Sequence, residues 1–365
     1  MLLKRMFVVA GLLVLTGLVT PNPVVAQSSL QTSNKNDEQV AELLREGRKL
    51  VDAKDFSGAI AIYRQAAELD SENPRIFSGI GFLYASQGNF REAVEAYRKA
   101  TELDRNNADF QYALGFSLAN LGNSADAIAA YRRATQINPR YVNALLGLGA
   151  VLSREGQQRE AIEAYRRVIA VEPRNARAHE LMGVLLIQQE RPNDAVKHLQ
   201  RAAELAPKRA SVQVNLGAVW LTQGNLERGL AAFRRATQLE PRNGDLQFQI
   251  GKFLELSKQS EGALKAYQRA VSLKPSLTEA HAAIGDLYMQ QQDIISAIIA
   301  YRQYTTQSPN DPDAHFKLGK ALKLRDRKAE AIPSLEQAKR LYQELGNREK
   351  TREVETLLRE LKKER

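Results

Sequence analysis

The chain has 365 residues, 44% hydrophobic and 26% charged, with a formal net charge of +10 and no cysteine. The lack of Cys excludes disulfides, thiolate metal sites, Cys nucleophiles and a lipidated N-terminal Cys. A compact fold of this length would split into domains, whereas a stacked repeat array escapes that limit, because each unit buries its apolar face against its neighbours.

The N-terminus reads as an export signal. Lys4 and Arg5 precede an apolar run, Met6 to Val19, followed by Pro21, Pro23 and the small-residue pattern Val24-Val25-Ala26. The run is shorter than the roughly 20 residues a spanning helix needs. The expectation is a signal peptide over 1–26, cleaved after Ala26; an uncleaved membrane anchor is the alternative. Losing Lys4 and Arg5 leaves 50 basic residues of the 52 against 42 acidic ones. In an exported protein such an excess suits acidic proteins or an anionic membrane surface better than nucleic acid. Residues 27–39 (QSSLQTSNKNDEQ) are polar and without apolar period, which predicts a flexible linker.

From residue 40 one phrase recurs: GNFREAVEAYRKA at 88–100, GNSADAIAAYRRA at 122–134, GQQREAIEAYRRV at 156–168 and GNLERGLAAFRRA at 224–236. Stepping by 34 residues gives nine units without insertion or deletion. One column is Gly47, Gly81, Gly115, Gly149, Gly183, Gly217, Gly251, Gly285 and Gly319. Twelve residues on lies an Ala column from Ala59 to Ala331, with Gly229 in the sixth unit. Four further on comes Tyr63, Tyr97, Tyr131, Tyr165, Leu199, Phe233, Tyr267, Tyr301 and Leu335. Gly weakens a helix interior by about 1 kcal/mol relative to Ala, so nine in one column imply a close helix-to-helix approach, here expected against the Ala column. Pro139, Pro173, Pro207, Pro241, Pro275 and Pro309 end the second helices, and Gly88, Gly122, Gly156 and Gly224 mark the turns within units.

These residues resemble the tetratricopeptide repeat family over 40–345. The resemblance implies an all-α, right-handed superhelical solenoid of nine helix-turn-helix repeats, with first helices lining a concave groove and second helices forming the convex face. The ninth unit lacks the closing Pro, carries Pro333 inside its second helix, where a local bend is expected, and runs to Gly346. Beyond it Val354, Leu357, Leu358 and Leu361 share one face, so 346–365 is read as a C-terminal capping helix.

Helical phase places Phe82, Tyr112, Phe116, Leu146, Val184, Val214 and Leu221 on the groove side of the first helices. Two readings stand: contacts for an apolar or amphipathic partner segment, or lateral packing between neighbouring first helices. Lys317, Lys320 and Lys323 fall on one side of the ninth first helix, and are candidates to receive an acidic segment or simply a solvated face. The paired Asn and Lys by which some relatives hold a C-terminal carboxylate are not matched, since that phase offers Asn215 alone. On the second helices, Arg columns from Arg64 to Arg302 are partly offset by acids four residues on, while Arg132 faces Gln136 at that spacing. Ile295 and Ile299 occupy phases that are charged in other units and form a candidate docking or self-association patch.

Chemistry is sparse. His179, His281 and His315 share a column and His198 lies in a second helix; repeat stacking sets column neighbours about 10 Å apart, too far for a compact metal site. There is no nucleophile elbow and no phosphate-binding loop. The sequence therefore reads as a non-enzymatic protein-interaction scaffold in a periplasmic or secreted setting, without metal or cofactor. A membrane-surface adaptor that assists assembly of a membrane complex is the alternative. Oligomeric state is left open.

Overall fold

The computed structural model describes residues 35–363. The segment expected to be an export signal, and the linker up to residue 34, lie outside the described residues. Nineteen helices and no strand are present among the described residues. They are α1 (Lys35–Asp52), α2 (Phe56–Leu69), α3 (Pro74–Ser86), α4 (Phe90–Leu103), α5 (Ala108–Leu121), α6 (Ser124–Ile137), α7 (Val142–Arg154), α8 (Gln158–Val171), α9 (Ala176–Gln188) and α10 (Pro192–Leu205). They continue as α11 (Ala210–Thr222), α12 (Leu226–Leu239), α13 (Gly244–Leu256), α14 (Ser260–Leu273), α15 (Thr278–Gln290), α16 (Ile294–Gln307), α17 (Pro312–Leu324), α18 (Lys328–Glu344) and α19 (Arg348–Lys363). The first helix begins at Lys35, so the last five residues of the expected linker are helical. Asp37 and Glu38 in its first turn complement the helix dipole.

Odd-numbered helices to α17 are first helices, even-numbered ones second helices, and α19 follows the ninth pair. The described residues divide into two compact units, the first ending at Pro207 and the second starting at Lys208. Within each unit the helices of a pair pack on each other, and each second helix packs on the next first helix. First helices also touch one another, α3 with α5 and α5 with α7 in the first unit, and α11 with α13 in the second. In the second unit α19 covers α18, burying Val354, Leu358 and Leu361 beside Tyr342 and Leu335, with Leu357 partly buried.

The sequence dictates where each helix stops. The residue before each closing Pro has left the helical region, for example Asn138 at φ −122°, ψ 94°, a geometry the Pro ring favours and that Asp104 also adopts before Arg105. Two residues after the Pro positions, side chains cap the next first helix: Asn175 accepts from the Ala178 N–H, Asn243 from Leu246 and Asp311 from Asp313. Each cap can itself be anchored, as Asn243 Nδ2 donates to Glu240 at 2.6 Å. The intra-pair turn is left-handed in every repeat. Gly88, Gly122, Gly156 and Gly224 provide it in four, and Lys54, Glu190, Lys258, Gln292 and Asp326 adopt the same positive φ in the other five. Helix α18 continues through Pro333 to Glu344, and Gly346 at φ +68° follows its C-cap, Leu345.

The Gly column corrects one expectation. The nearest neighbour of each Gly is the aromatic column of its own second helix, sixteen residues on, rather than the Ala column. A Cβ at Gly81 would meet the Tyr97 ring at 3.0 Å, one at Gly115 the Tyr131 ring at 2.9 Å, and one at Gly251 the Tyr267 ring at 2.6 Å. Phe233 covers Gly217, Tyr301 covers Gly285, and Leu199 and Leu335 replace the ring over Gly183 and Gly319. The side chain of this column fills the gap, so the helix that carries the Gly has little room for a methyl group there. The Ala column is buried throughout, and at Gly229, which stands in it, a Cβ would approach the Gly217 carbonyl oxygen to 3.2 Å.

Candidate functional site: the first-helix face

Side chains assigned to the groove separate into two groups. Phe82 (α3), Phe116 (α5), Leu146 (α7) and Leu221 (α11) are half-buried. Tyr112, Val184 and Val214 are buried and offer little surface to a partner. Tyr112 is wedged between Tyr131, with ring centroids 6.0 Å apart, and Tyr141, at 5.1 Å. The Tyr141 hydroxyl donates to Asp109 at 2.6 Å, and burial with that carboxylate raises its pKa well above the ordinary tyrosine value. Phe116 stands edge-on to Phe90 at 6.3 Å. Leu221 lies where a side chain at Gly229 would be, so it faces its own second helix as well.

The lysines of α17 are mostly committed within the chain. Lys317 Nζ donates to Asp286 Oδ1 at 2.6 Å, and Tyr301 donates to the same oxygen at 2.7 Å. Lys323 pairs with Glu360 of α19. Lys320 is exposed and lies over the Phe316 ring at 5.0 Å, where Lys350 also sits at 5.0 Å. An acidic segment would have to displace Asp286 and Glu360 from two of the three expected contacts. Asn215 is buried and engaged within the fold.

Second-helix arginines are bridged across repeats. Arg98 pairs with Asp126 at 3.2 Å, Arg132 with Glu160, and Arg302 with Glu330 at 2.5 Å, each acid 28 residues ahead. Ile295 and Ile299 of α16 are exposed, 56% and 58%, as their phase predicts.

The histidines take roles that the spacing did not reveal. His179, His281 and His315 each direct Nε2 at the carbonyl of the Pro six residues earlier: Pro173 at 3.2 Å, Pro275 at 3.0 Å and Pro309 at 2.8 Å. A carbonyl only accepts, so Nε2 carries the hydrogen. This column ties the start of a first helix to the preceding Pro turn. His198, on the second helix α10, meets His179, with the two Nδ1 atoms 3.1 Å apart. Among the described residues no group of three or more His, Asp or Glu is placed to hold a metal ion. No helix among them is long and apolar enough to cross a membrane.

A "TPR repeat" family model matches residues 47–88, 83–122, 118–156, 257–292 and 285–324, and a "Tetratricopeptide repeat" model matches 146–210. The chain belongs to the tetratricopeptide repeat family. The Gly217–Phe233 contact continues the same repeat through the stretch between the matches. Among solved structures, a tetratricopeptide repeat protein from Parabacteroides merdae is 17% identical, with a TM-score of 0.57 over 69% of this chain and 99% of that one. The MamA protein is 30% identical over 48% of this chain and 95% of its own, with a TM-score of 0.45. YrrB, described as a TPR protein with an unusual peptide-binding site, is 24% identical over 50% of this chain and 97% of its own, at 0.44. No curated protein matches the chain. Membership makes this a protein-interaction fold; tetratricopeptide repeats are generally scaffolds and not enzymes.

Proposed function

We propose that the chain is a non-enzymatic scaffold that works in an exported compartment and receives an apolar or amphipathic partner segment on the first-helix face of its first unit. The observation that carries this reading is the placement of Phe82, Phe116 and Leu146 at half-buried positions on α3, α5 and α7, helices that touch in succession. Half-buried apolar groups on a preformed face favour docking, since little ordering entropy is lost on binding. The Lys4–Ala26 pattern supports export. The membrane-adaptor reading draws less support, because Arg98, Arg132 and Arg302 already face acids of the next repeat.

The test is affinity capture from the exported fraction with wild type and with Phe82→Ser/Phe116→Ser/Leu146→Ser. A partner held by the wild type and lost by a variant of unchanged melting curve supports the reading. Equal recovery by both contradicts it. N-terminal sequencing of the exported protein should begin at Gln27; a retained Met1 refutes cleavage.

A further inference from the structure

Arg166 does not join the inter-repeat ion pairs made by Arg98, Arg132 and Arg302. Counting 28 residues from Arg166 leads to Asp194, as Arg132 leads to Glu160. Yet Asp194 accepts from Arg191 Nη2 at 2.6 Å and Nε at 3.1 Å, with Lys197 at 3.5 Å, while Arg166 turns back to Glu163 at 3.5 Å. In the same repeat the second helix departs from its pattern. The pair Ala-Tyr at 96–97, 130–131, 164–165, 266–267 and 300–301 becomes His198-Leu199. A cavity of about 320 Å³ opens at this place, between α8, α9 and α10. Ile162, Ile169, Met182 and Leu186 form its apolar lining, and Arg166, Arg191, Lys197, Asp194 and His198 its polar one.

We propose that this cavity is a binding site for a small amphipathic carboxylate, its short apolar body against Ile162, Ile169, Met182 and Leu186 and its carboxylate on Arg166 and Lys197. Arg166, Arg191 and Lys197 outnumber Asp194 and the neighbouring Glu163 by one charge, so the site favours an anion. Asp194 stays ionised, its carboxyl held below the usual range first by the Arg191 hydrogen bond. Arg166 is the donor free to exchange partners, because its pair with Glu163 is long and largely exposed. A guanidinium can grip a carboxylate with two parallel hydrogen bonds. The volume sits near the lower end, about 300 Å³, of small-molecule sites, which suits a short body rather than a long acyl chain. Four groups face His198: Arg166 from α8, His179 from α9, and Asp194 and Lys197 from α10. Burial, then His179, holds its pKa below the ordinary value. A bound carboxylate opposes that shift, and by linkage binding tightens as the pH falls through the His198 titration.

The experiment titrates the full chain with hexanoate, 1-hexanol and acetate, following the His198 ring by NMR. Saturable binding of hexanoate, at least tenfold tighter than either control and with a raised His198 pKa, is expected. Arg166→Gln, at an exposed position, should weaken hexanoate about tenfold, in line with losing one charge-assisted contact. His198→Ala/Leu199→Tyr, which restores the pair of the other repeats, should abolish it. No saturable hexanoate response at His198, hexanol binding as tightly as hexanoate, or unchanged affinity in Arg166→Gln would each overturn the proposal.

Discussion

His198 donates its Nδ1 hydrogen to Nδ1 of His179, 3.1 Å away, because the Pro173 carbonyl fixes the hydrogen of His179 on Nε2. His179 Nδ1 is thus the acceptor of the pair, and the vacant ring nitrogen of His198 is Nε2. Burial is the main reason the His198 pKa lies below its ordinary value, followed by His179, with Arg166 and Lys197 adding to it and Asp194 opposing it.

A pH dependence of stability follows. The folded-state pKa is below the unfolded value of about 6.5, so the contribution of His198 is complete above that pH. It is lost as the pH falls toward the folded value, because the unfolded chain then binds the extra proton. Denaturant midpoints at pH 7.5, 6.5 and 5.5 should fall in that order, and His198→Ala should flatten the part of the slope below pH 6.5. An identical slope in the variant would remove His198 as the cause.

His281 should matter for a different reason. It is buried, and its Nε2–H serves the Pro275 carbonyl at 3.0 Å. His281→Ala leaves that carbonyl short of a donor and should cost about 1 kcal/mol in chemical denaturation. His281→Phe, which keeps the bulk, should not rescue it; full rescue would show that packing is the contribution.

Five non-glycine residues hold the left-handed turn. A side chain there costs about 1–2 kcal/mol, partly returned because Gly loses more entropy on folding. Glu190→Gly and Asp326→Gly should each stabilise by about 0.5–1 kcal/mol. Gly122→Ala should destabilise by a similar amount, although no atom lies within 4 Å of the new Cβ. Melting temperatures of the three variants check the signs.

Much of this architecture could be read from residue order alone, because a 34-residue period multiplies each weak signal ninefold. The closing Pro, the turn Gly at 88, 122, 156 and 224, and the apolar face of Val354, Leu358 and Leu361 were legible for that reason. The contacts between columns were not. Period and spacing bring both Ala93 and Tyr97 near Gly81, and only three-dimensional packing decides that the ring takes the space. Ion pairing was likewise hidden by its reach: Arg132 lacks an acid four residues on yet finds Glu160, and Lys317 finds Asp286. Tyr112 carries the phase of a groove residue, but Tyr131 and Tyr141 close over it. His198 gave one signal, a polar residue where six other units carry Ala.

The most direct test of the account is the stability of Gly251→Ala beside Gly262→Ala. Both lie in helices, where Ala is favoured by about 1 kcal/mol. At 251 the new methyl meets the Tyr267 ring at 2.6 Å, while at 262 it meets only Leu254 at an ordinary 3.4 Å. The account predicts that Gly251→Ala lowers the thermal midpoint, with a net cost of about 1–3 kcal/mol from overpacking, and that Gly262→Ala raises it. Both midpoints rising together would contradict the claim that rings seated on the Gly column hold the repeats, and with it the rigid face proposed to receive a partner.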